Sequence, residues 1–283
     1  MKKTIGLTLV MVIMATLLVG CGSSEGFDSS KLINVVSRED GSGTRGAFVE
    51  IVGVEDANGN DMTTTEAVVQ NSTNGVMTTV AGDKYSIGYI SLGSLNDTVR
   101  ALSVEGVSAN PENVKAGAYK IARPFNIAYK SSIGDLAQDF IDFILSANGQ
   151  AIVEENGLVA AVDGGEYNPK GLSGTIVVGG STSVTPVMEK LAEAYEGLNN
   201  GVSVEIQSTG SSAGMTGTIE GSLDIGMASR ELKDSEAAEL DQAVIAIDGI
   251  ALIVNNENPI QDLSLEEIQA IYLGEITLWN EVE

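Results

Sequence analysis

Arginine, glycine and hydroxyl residues are concentrated in residues 37–48, SREDGSGTRGAF, directly after the apolar run at residues 32–36. Glycines let a backbone approach a ligand closely, and the free N–H groups at the start of a helix attract anions. Arg38 adds a planar, permanently charged fork that suits a phosphate or a carboxylate, and Asp40 is placed to hold that guanidinium. These residue types at this spacing indicate an oxyanion-binding loop.

Two further segments repeat this composition. Residues 179–186, GGSTSVTP, follow the apolar run TIVV, and residues 208–214, STGSSAG, follow a second strand-like run at residues 202–207. Taken alone, each segment also fits an ordinary helix cap or turn. Three junctions of strand, glycine-rich turn and helix in one chain, one of them with an arginine, favour a shared oxyanion site.

The elements that position these loops follow from the hydrophobic periodicity and the caps. Pro186 opens one helix, and Ser264 with Glu267 predicts a capping box at the start of another. The alternation of helices and strands predicts an α/β protein. Helices are predicted at residues 136–145, 186–198 and 265–273, and strands at residues 126–129, 175–180, 202–207 and 251–254.

The composition excludes several classes of function. The 283 residues include 15 Lys+Arg against 39 Asp+Glu, a net charge of −24, and a nucleic-acid partner needs the basic surface that this chain lacks. The absence of histidine excludes a Ser-His-Asp triad and histidine-containing metal sites. The single cysteine, Cys21, excludes an intrachain disulfide and a thiolate metal cluster. We therefore expect no metal and no cofactor.

Residues 56–61, DANGND, resemble the start of a calcium loop. Asp61 stands where that loop needs glycine, and Ala67 stands where it needs glutamate. A hairpin turn at Asn58 and Gly59 is the better interpretation.

The N-terminus has the pattern of a signal peptide. Lys2 and Lys3 precede the apolar run at residues 5–18, and LVGC at residues 18–21 resembles a bacterial lipobox. We therefore expect residues 1–20 to be removed, Cys21 to be lipidated, and residues 21–30 to form a tether to the outer face of the cell membrane. The alternative is a transmembrane anchor that ends by chance in a cysteine.

Four segments carry a resemblance to a known family: residues 37–44, 179–186, 208–214 and 224–230. They are similar to the signature loops of the phosphate-binding protein of bacterial phosphate ABC transporters. The resemblance implies a type II periplasmic-binding-protein fold, in which two α/β lobes are joined by two crossover strands and hold the ligand between them. It implies phosphate as ligand, and the permease and ATPase subunits of the transporter as partners. The implied ligand residues are Arg38, Ser42, Gly43, Thr44, Ser181, Thr182, Ser183 and Ser211, supported by Asp40 and Arg230.

The order of these segments departs from the family. The half that usually comes second precedes the half that usually comes first, so the chain is similar to a circular permutant rejoined through residues 163–171. A truncated tandem duplication is the rival explanation. The resemblance then implies a lobe B of residues 31–122 plus 249–283 and a lobe A of residues 123–248. The crossover strands are expected near residues 121–129 and 247–254.

Arg230 raises the question of selectivity. Some family members carry an aspartate here that accepts a hydrogen bond from protonated phosphate, whereas this chain has Arg230 followed by Glu231. Glu231 or another acceptor takes that role, or discrimination against sulfate is weaker. Alternatively, Arg230 bridges acidic groups on the surface of its lobe.

Two other functions stay open at the level of sequence. The same fold can bind another oxyanion such as sulfate or molybdate. An enzyme acting on a phosphorylated substrate would use Ser42, Ser183 or Ser211 as nucleophile, but it needs an activating base. Because the chain has no histidine and these loops have no lysine, we expect a binding protein and not an enzyme.

Overall fold

The computed structural model describes residues 26–282. The predicted signal peptide, Cys21 and the first part of the tether lie outside the described residues. No helix within the described range has both the length and the apolar character that crossing a bilayer requires.

The strands are β1 Asn34–Arg38, β2 Val68–Gln70, β3 Ser86–Ser91, β4 Arg100–Ala101, β5 Ser103–Val104, β6 Val107–Ser108, β7 Ala122–Tyr129, β8 Val159–Ala160, β9 Gly174–Gly180, β10 Val202–Ser208, β11 Ile225–Ala228, β12 Asp241–Val254 and β13 Asp262–Leu263. Ten of them form one mixed sheet, in which eight follow one another in the order β10-β9-β11-β7-β12-β3-β1-β2 and two more, β4 and β8, pair with β12. A small second sheet contains β13, β5 and β6.

Helices pack against both halves of the large sheet, and each of the three helices predicted from periodicity is present. The capping box is confirmed, because the Ser264 hydroxyl accepts a hydrogen bond from the Glu267 amide and the Glu267 carboxylate accepts one from the Ser264 amide. The helices are α1 Gly43–Val52, α2 Thr73–Gly82, α3 Pro111–Lys115, α4 Asp135–Ile144, α5 Ala147–Glu155, α6 Thr185–Leu198, α7 Ser211–Glu220, α8 Asp234–Ala237 and α9 Leu265–Leu273.

The apolar side chains form two main cores, which define two lobes. The first core is built from residues 33–121 and 250–279 together with Val159, and the second from residues 125–246. We keep the names lobe B for the part around the first core and lobe A for the part around the second. Both β7 and β12 run from one core to the other, so these two strands join the lobes of a mixed α/β fold.

Strand β12 is much longer than the predicted strand at residues 251–254, because it begins at Asp241. The polar residues Asp241, Gln242 and Asp248 interrupt the apolar pattern and conceal the first half of the strand. This half pairs antiparallel with β7 as far as Gly249, and from Ile250 onwards the strand pairs with β3 instead. The change of partner marks the passage from lobe A to lobe B.

The described ends of the chain lie side by side. Leu32 and Leu278 form an antiparallel bridge. On either side of it, the Ile33 amide donates to the Thr277 carbonyl at 2.8 Å and the Trp279 amide donates to the Lys31 carbonyl at 3.3 Å. A short connection between the two ends would therefore close the chain into a ring.

The segment at residues 163–171 has no helix or strand, as its turn-forming composition predicts, but it is anchored to lobe A. The Tyr167 hydroxyl donates to the buried Asp139 carboxylate at 2.6 Å. The Lys170 ammonium lies 3.0 Å from Asp139 and 2.8 Å from Asp142. The segment is thus a strap across α4 with defined contacts.

Candidate functional site: hydroxyl groups between the two lobes

The strand-to-helix junctions of both lobes face one another across the cleft. Lobe B contributes the starts of α1 and α2, which follow β1 and β2 along the chain, and lobe A contributes the starts of α6 and α7 and the turn after β11. Ser42 caps α1 by accepting the Arg45 amide, and Ser72 caps α2 by accepting the Gly75 amide. Their remaining free N–H groups make helix starts favourable places for an anion.

Hydroxyl groups from the two lobes contact one another at these junctions. We name this group the hydroxyl cluster. Thr44 Oγ1 lies 2.8 Å from Ser183 Oγ, and Thr73 Oγ1 lies 3.1 Å from the same atom and 3.2 Å from Thr182 Oγ1. The cluster contains Thr44, Thr73, Ser181, Thr182, Ser183, Ser211 and Ser229.

Arg38 brings a full positive charge to the edge of the hydroxyl cluster. Its Nη2 donates to Thr182 Oγ1 of the opposite lobe at 3.0 Å, and the arginine is only 2% exposed. Nε and Nη2 also donate to the Glu39 carboxylate at 2.8 and 2.9 Å. A planar guanidinium held in this way presents fixed N–H donors to an anion.

The expected pairing of Asp40 with Arg38 is wrong. The Asp40 side chain is 99% exposed and lies 3.3 Å from Arg45 instead. The chain turns outward after β1, so Asp40 points away from the cleft, whereas the longer Glu39 side chain reaches back to Arg38. Glu39 is therefore the residue that orients Arg38.

The other predicted residues lie at the same interface between the lobes. Ser181 Oγ donates to Ser229 Oγ at 2.9 Å, and Ser211 Oγ accepts the Ser229 amide at 3.2 Å. Gly43 approaches so closely that a Cβ there would collide with Ser211 Oγ and lie 2.9 Å from Ser229 Oγ. Ser42 differs, because its hydroxyl is used by the cap of α1.

Sequence reasoning missed two members of the hydroxyl cluster, Thr73 and Ser229, which are 3% and 0% exposed. Thr73 follows VVQNS at residues 68–72, which is another strand, polar turn and helix start, but without the glycines that drew attention to the other loops. Ser229 ends the segment DIGMAS, and the charged Arg230 that follows it is the more conspicuous candidate for an anion ligand. Both could have been found by asking which hydroxyls follow each predicted strand.

Arg230 does not enter the hydroxyl cluster; it pairs with one acidic group of its own lobe, Glu236, rather than bridging several acids on the surface. Its Nη1 and Nη2 donate to the two Glu236 carboxylate oxygens at 2.7 and 2.8 Å. Burial opposes ionisation of Glu236, but the hydrogen bonds from Arg230 and the Lys233 amide outweigh it and hold the pKa of this carboxyl below its usual value. In this segment Ser229, and not Arg230, contacts the residues expected to bind the ligand.

Two cavities lie in the region where the lobes meet, and the first includes two members of the hydroxyl cluster. One, of about 340 Å³, is lined mainly by uncharged polar groups that include Thr73, Ser94 and Thr182. The other, of about 160 Å³, is lined by Arg45, Arg230 and Lys233 together with two aspartates. Four of the five arginines of the chain, Arg38, Arg45, Arg123 and Arg230, are thus gathered around the cleft of a strongly acidic protein.

No group of three or more metal-ligating side chains occurs among residues 26–282. In the segment DANGND, the Asp56 carboxylate accepts the Asn60 side-chain amide and the backbone amides of Asn58 and Asn60. The Asn60 side-chain hydrogen bond is the largest of several interactions that lower the pKa of Asp56 to about 2. Glu55 and Asp61 bridge across this turn, so the hairpin interpretation is confirmed.

The two-domain α/β fold, with polar loops of both lobes meeting in a cleft, is the architecture of a binding protein that closes on its ligand. A family model described as a PBP superfamily domain matches residues 24–148 and 166–283. A phosphate-binding protein PstS 2 of Streptococcus agalactiae is 47% identical over 272 residues, which cover 94% of this chain and 93% of the relative. A phosphate-binding protein PstS 2 of Streptococcus pneumoniae is 46% identical over 273 residues, 94% of each.

A solved structure is similar over most of its length. It is the crystal structure of a phosphate ABC transporter, phosphate-binding protein from Streptococcus pneumoniae TIGR4, with a TM-score of 0.72 and 47% identity, covering 89% of this chain and 100% of that one. The chain belongs to the phosphate-binding protein PstS family, within the PBP superfamily.

Proposed function

We propose that this protein is an extracytoplasmic solute-binding protein that captures inorganic phosphate between its lobes. It presents the phosphate to the permease of an ABC transporter, which an ATPase subunit drives. The observation that carries the proposal is the contact of Arg38 in lobe B with Thr182 in lobe A, at 3.0 Å and inside a set of hydroxyl groups from both lobes. The names of the relatives, which share nearly the entire chain, support phosphate as the ligand.

The ligand would exchange contacts between side chains for contacts with its own oxygens. Each hydroxyl both donates and accepts, and Arg38 only donates, so the hydroxyl cluster and Arg38 suit a tetrahedral oxyanion with several acceptors. We assign binding to Arg38, Gly43, Thr44, Ser181, Thr182, Ser183 and Ser211, and add Thr73 and Ser229. Ser42 acts as the cap that fixes the start of α1, and Glu39 orients Arg38.

Phosphate, and not sulfate, is the ligand that this proposal names. At neutral pH phosphate keeps at least one proton, and a serine or threonine oxygen can accept a hydrogen bond from it. Ser229 Oγ, which lies between Ser181 and Thr44, is well placed for this role. Sulfate and molybdate, which are fully ionised at neutral pH, are the alternative ligands that the same donors can hold.

The contacts of the three candidate nucleophiles support binding without catalysis. Ser42 Oγ accepts a backbone amide, Ser211 Oγ accepts another, and Ser183 Oγ contacts the Thr44 and Thr73 hydroxyls. Activation of a serine requires a neighbouring base, and within residues 26–282 no carboxylate or lysine makes a hydrogen bond to these three hydroxyls. The protein would therefore release the anion unchanged.

The remaining parts of the proposal concern anchoring and chain order. The signal-peptide pattern supports lipidation of Cys21 and a position on the outer face of the cell membrane. The division of the apolar cores supports lobes with boundaries near residues 122 and 248. The bridge between Leu32 and Leu278 supports a permuted order, because it brings the two described ends together, where a family member in the usual order would run continuously.

Calorimetric titration tests the central claim. The protein is produced from Gly22 onwards, stripped of bound anion, and titrated near pH 7 with phosphate and then with sulfate and molybdate. Tight binding of one phosphate with a weaker response to the other anions is expected. Preferential binding of sulfate or molybdate would overturn the choice of ligand, and absence of binding to all three would overturn the proposed site.

A further inference from the structure

A buried ion pair lies where the two lobes meet. Arg123 of β7 and Asp248 of β12 are directly opposite one another in the sheet and are 2% and 0% exposed. The guanidinium donates to Asp248 Oδ2 from Nη2 at 3.0 Å and from Nε at 3.3 Å. A buried charge is tolerated only when it is paired and hydrogen-bonded, so each of these residues requires the other.

Asp248 connects this pair to lobe B. Its Oδ1 accepts the Ser91 hydroxyl at 2.9 Å and the Gly93 amide at 3.5 Å. Ser91 ends β3, and Gly93 lies in the turn that follows. One residue after Gly249, β12 changes its partner from β7 to β3, so the carboxylate sits at the passage between the lobes.

Arg123 connects the same pair to the hydroxyl cluster. Its Nη1 donates to the backbone carbonyl of Ser229 at 3.0 Å. On its other side, the Ser229 amide donates to Ser211 Oγ at 3.2 Å. The backbone of Ser229 is thereby held on both sides, and its Oγ is directed to Ser181 Oγ at 2.9 Å and Thr44 Oγ1 at 3.4 Å.

We propose that Arg123 is a positioning residue for the anion site. It fixes the Ser229 carbonyl and, through Asp248, ties the turn after β11 to Ser91 in lobe B. This inference rests on the proposed function, because it assumes that the hydroxyl cluster binds the anion. The inference adds a connection to that function. Through Arg123 and Asp248, the two strands that join the lobes, β7 and β12, are hydrogen-bonded to Ser229, one of the residues assigned to phosphate binding.

The guanidinium is suited to this role by its shape. Three of its N–H groups point in fixed directions, two of them at one carboxylate and the third at a carbonyl on another element. A lysine ammonium is a compact charge that keeps the ion pair with Asp248 but lacks the planar fork that reaches both partners at once. Arg123→Lys therefore separates the charge of Arg123 from its positioning function.

Two variants test the proposal. Arg123→Lys keeps the buried charge balanced, and the double variant Arg123→Met with Asp248→Asn removes both charges, a replacement that buried ion pairs often tolerate. The control is Arg100→Met, because Arg100 donates to the carbonyls of Asn258 and Ile260 and to Gln261, away from the hydroxyl cluster. Phosphate affinity is measured by calorimetry, and amide hydrogen exchange of residues 225–232 is measured without phosphate.

We expect both Arg123 variants to bind phosphate about 10- to 100-fold more weakly, the range that follows loss of a hydrogen bond to a charged donor. Exchange at residues 225–232 should rise in both, and Arg100→Met should change neither quantity. Parental affinity and exchange in Arg123→Lys would overturn the proposal, even if the double variant fails to fold. The exchange measurement is independent of the ligand, so it still tests the positioning role if the parent protein proves not to bind phosphate.

Discussion

Thr44 and Ser183 are 139 positions apart in the chain, and their hydroxyl oxygens lie 2.8 Å apart in the cleft. Thr44 belongs to α1 of lobe B, and Ser183 belongs to the turn before α6 of lobe A. The hydroxyl cluster therefore forms only when the lobes are closed, so under the proposed function binding and closure would be one event. A substitution that keeps the lobes apart should weaken binding without removing Arg38 or any hydroxyl.

Gly43→Ala should have this effect. A Cβ at Gly43 would collide with Ser211 Oγ and come within 2.9 Å of Ser229 Oγ, both in the opposite lobe. Alanine is also the better helix former, so the stability of lobe B should stay the same or rise by up to about 1 kcal/mol. We expect phosphate affinity to fall at least about tenfold, since a loss of 1.4 kcal/mol has that effect, while the midpoint of urea unfolding stays the same or rises.

Gly46→Ala is the matched control. Gly46 lies in the same helix, and a Cβ there would be 3.8 Å from Arg230 Cδ, which is an ordinary contact distance. This variant should bind phosphate as the parent does. Equal affinities for Gly43→Ala and the parent would show that the ligand is bound with the lobes further apart than in this structure.

Arg38→Ala should abolish anion binding while the fold persists. Arg38 provides the full positive charge in contact with the hydroxyl cluster, and hydrogen bonds to a charged group contribute about 1.5–3 kcal/mol each. With two such bonds to phosphate, affinity should fall by at least about a hundredfold. Titration calorimetry and the circular dichroism spectrum together check this result, and Arg100→Ala serves as the control.

The sequence predicted the loops of this site better than it predicted their contacts. Glycine, serine and threonine after a strand identify a loop, because glycine permits the backbone conformations of turns and the short hydroxyl side chains hydrogen-bond the nearby backbone. Whether Arg38 pairs with Asp40 or with Glu39 depends on how the chain turns after β1, which neighbouring letters do not specify. Thr73 escaped notice because its loop has no glycine next to the strand, although the loop has the same role in the structure.

Local sequence also predicted the long strands only in part. Isolated apolar runs were sufficient to predict β9, β10 and the second half of β12. The first half of β12 carries Asp248, which is buried only because Arg123 lies opposite it on β7. A compensated buried charge depends on a partner 125 positions away, so no window of local sequence reveals it.

Thr73→Ala should weaken phosphate binding, although Thr73 lies outside the glycine-rich loops. Its hydroxyl contacts Ser183 Oγ at 3.1 Å and Thr182 Oγ1 at 3.2 Å. Loss of one neutral hydrogen bond corresponds to about 0.5–1.5 kcal/mol, or roughly two- to tenfold in the dissociation constant. Thr73→Ser should retain most of the affinity.

Thr79→Ala in the same helix is the comparison. The Thr79 hydroxyl donates to the Gly75 carbonyl of its own helix and contacts no member of the hydroxyl cluster. Calorimetry should give the parental affinity for this variant. If Thr79→Ala and Thr73→Ala lose affinity equally, the effect comes from α2 as a whole and not from the Thr73 hydroxyl.

The pair of Arg230 and Glu236 should make stability depend on pH in the acid range. The pKa of Glu236 is lower in the folded protein than its value of 4.5 in the unfolded chain. Ionised Glu236 therefore stabilises the fold fully above pH 4.5, and this stabilisation is lost as the pH falls through the pKa of the folded protein. At pH 7, Glu236→Gln should cost on the order of 1–3 kcal/mol, because a charged hydrogen-bonded pair becomes a neutral one. At pH 3 the difference should shrink.

Urea unfolding of the two proteins at pH 7 and pH 3 measures this difference. Glu231→Gln is the control, because the Glu231 side chain is exposed. Arg230 donates a hydrogen bond to the backbone carbonyl of Glu231 and not to its carboxylate. A difference between Glu236→Gln and the parent that is equally large at both pH values would mean that the charge of Glu236 does not contribute.

The chain order can be tested by reversing the proposed permutation. The reordered protein begins at Leu172 and continues to Val282. A short Gly/Ser linker then leads into Phe27, and the chain ends at Gly171, which restores the order that is usual in the family. The bridge between Leu32 and Leu278 keeps the joined ends close. The opening at Gly171 lies in an exposed segment with a positive φ of 70°, beyond the anchoring contacts of Tyr167 and Lys170.

The reordered protein should fold and bind phosphate with an affinity similar to that of the parent, because every element and every cleft residue keeps its neighbours and only exposed connections change. A second reordered protein, opened inside α6 between Ala192 and Glu193, should fail to fold, because the opening would interrupt a helix that packs into the core of lobe A. Folding of both would show that the position of the opening is unimportant. Failure of the protein opened at Gly171 alone would contradict the proposed permutation point and would give the strap at residues 163–171 a role in holding lobe A together.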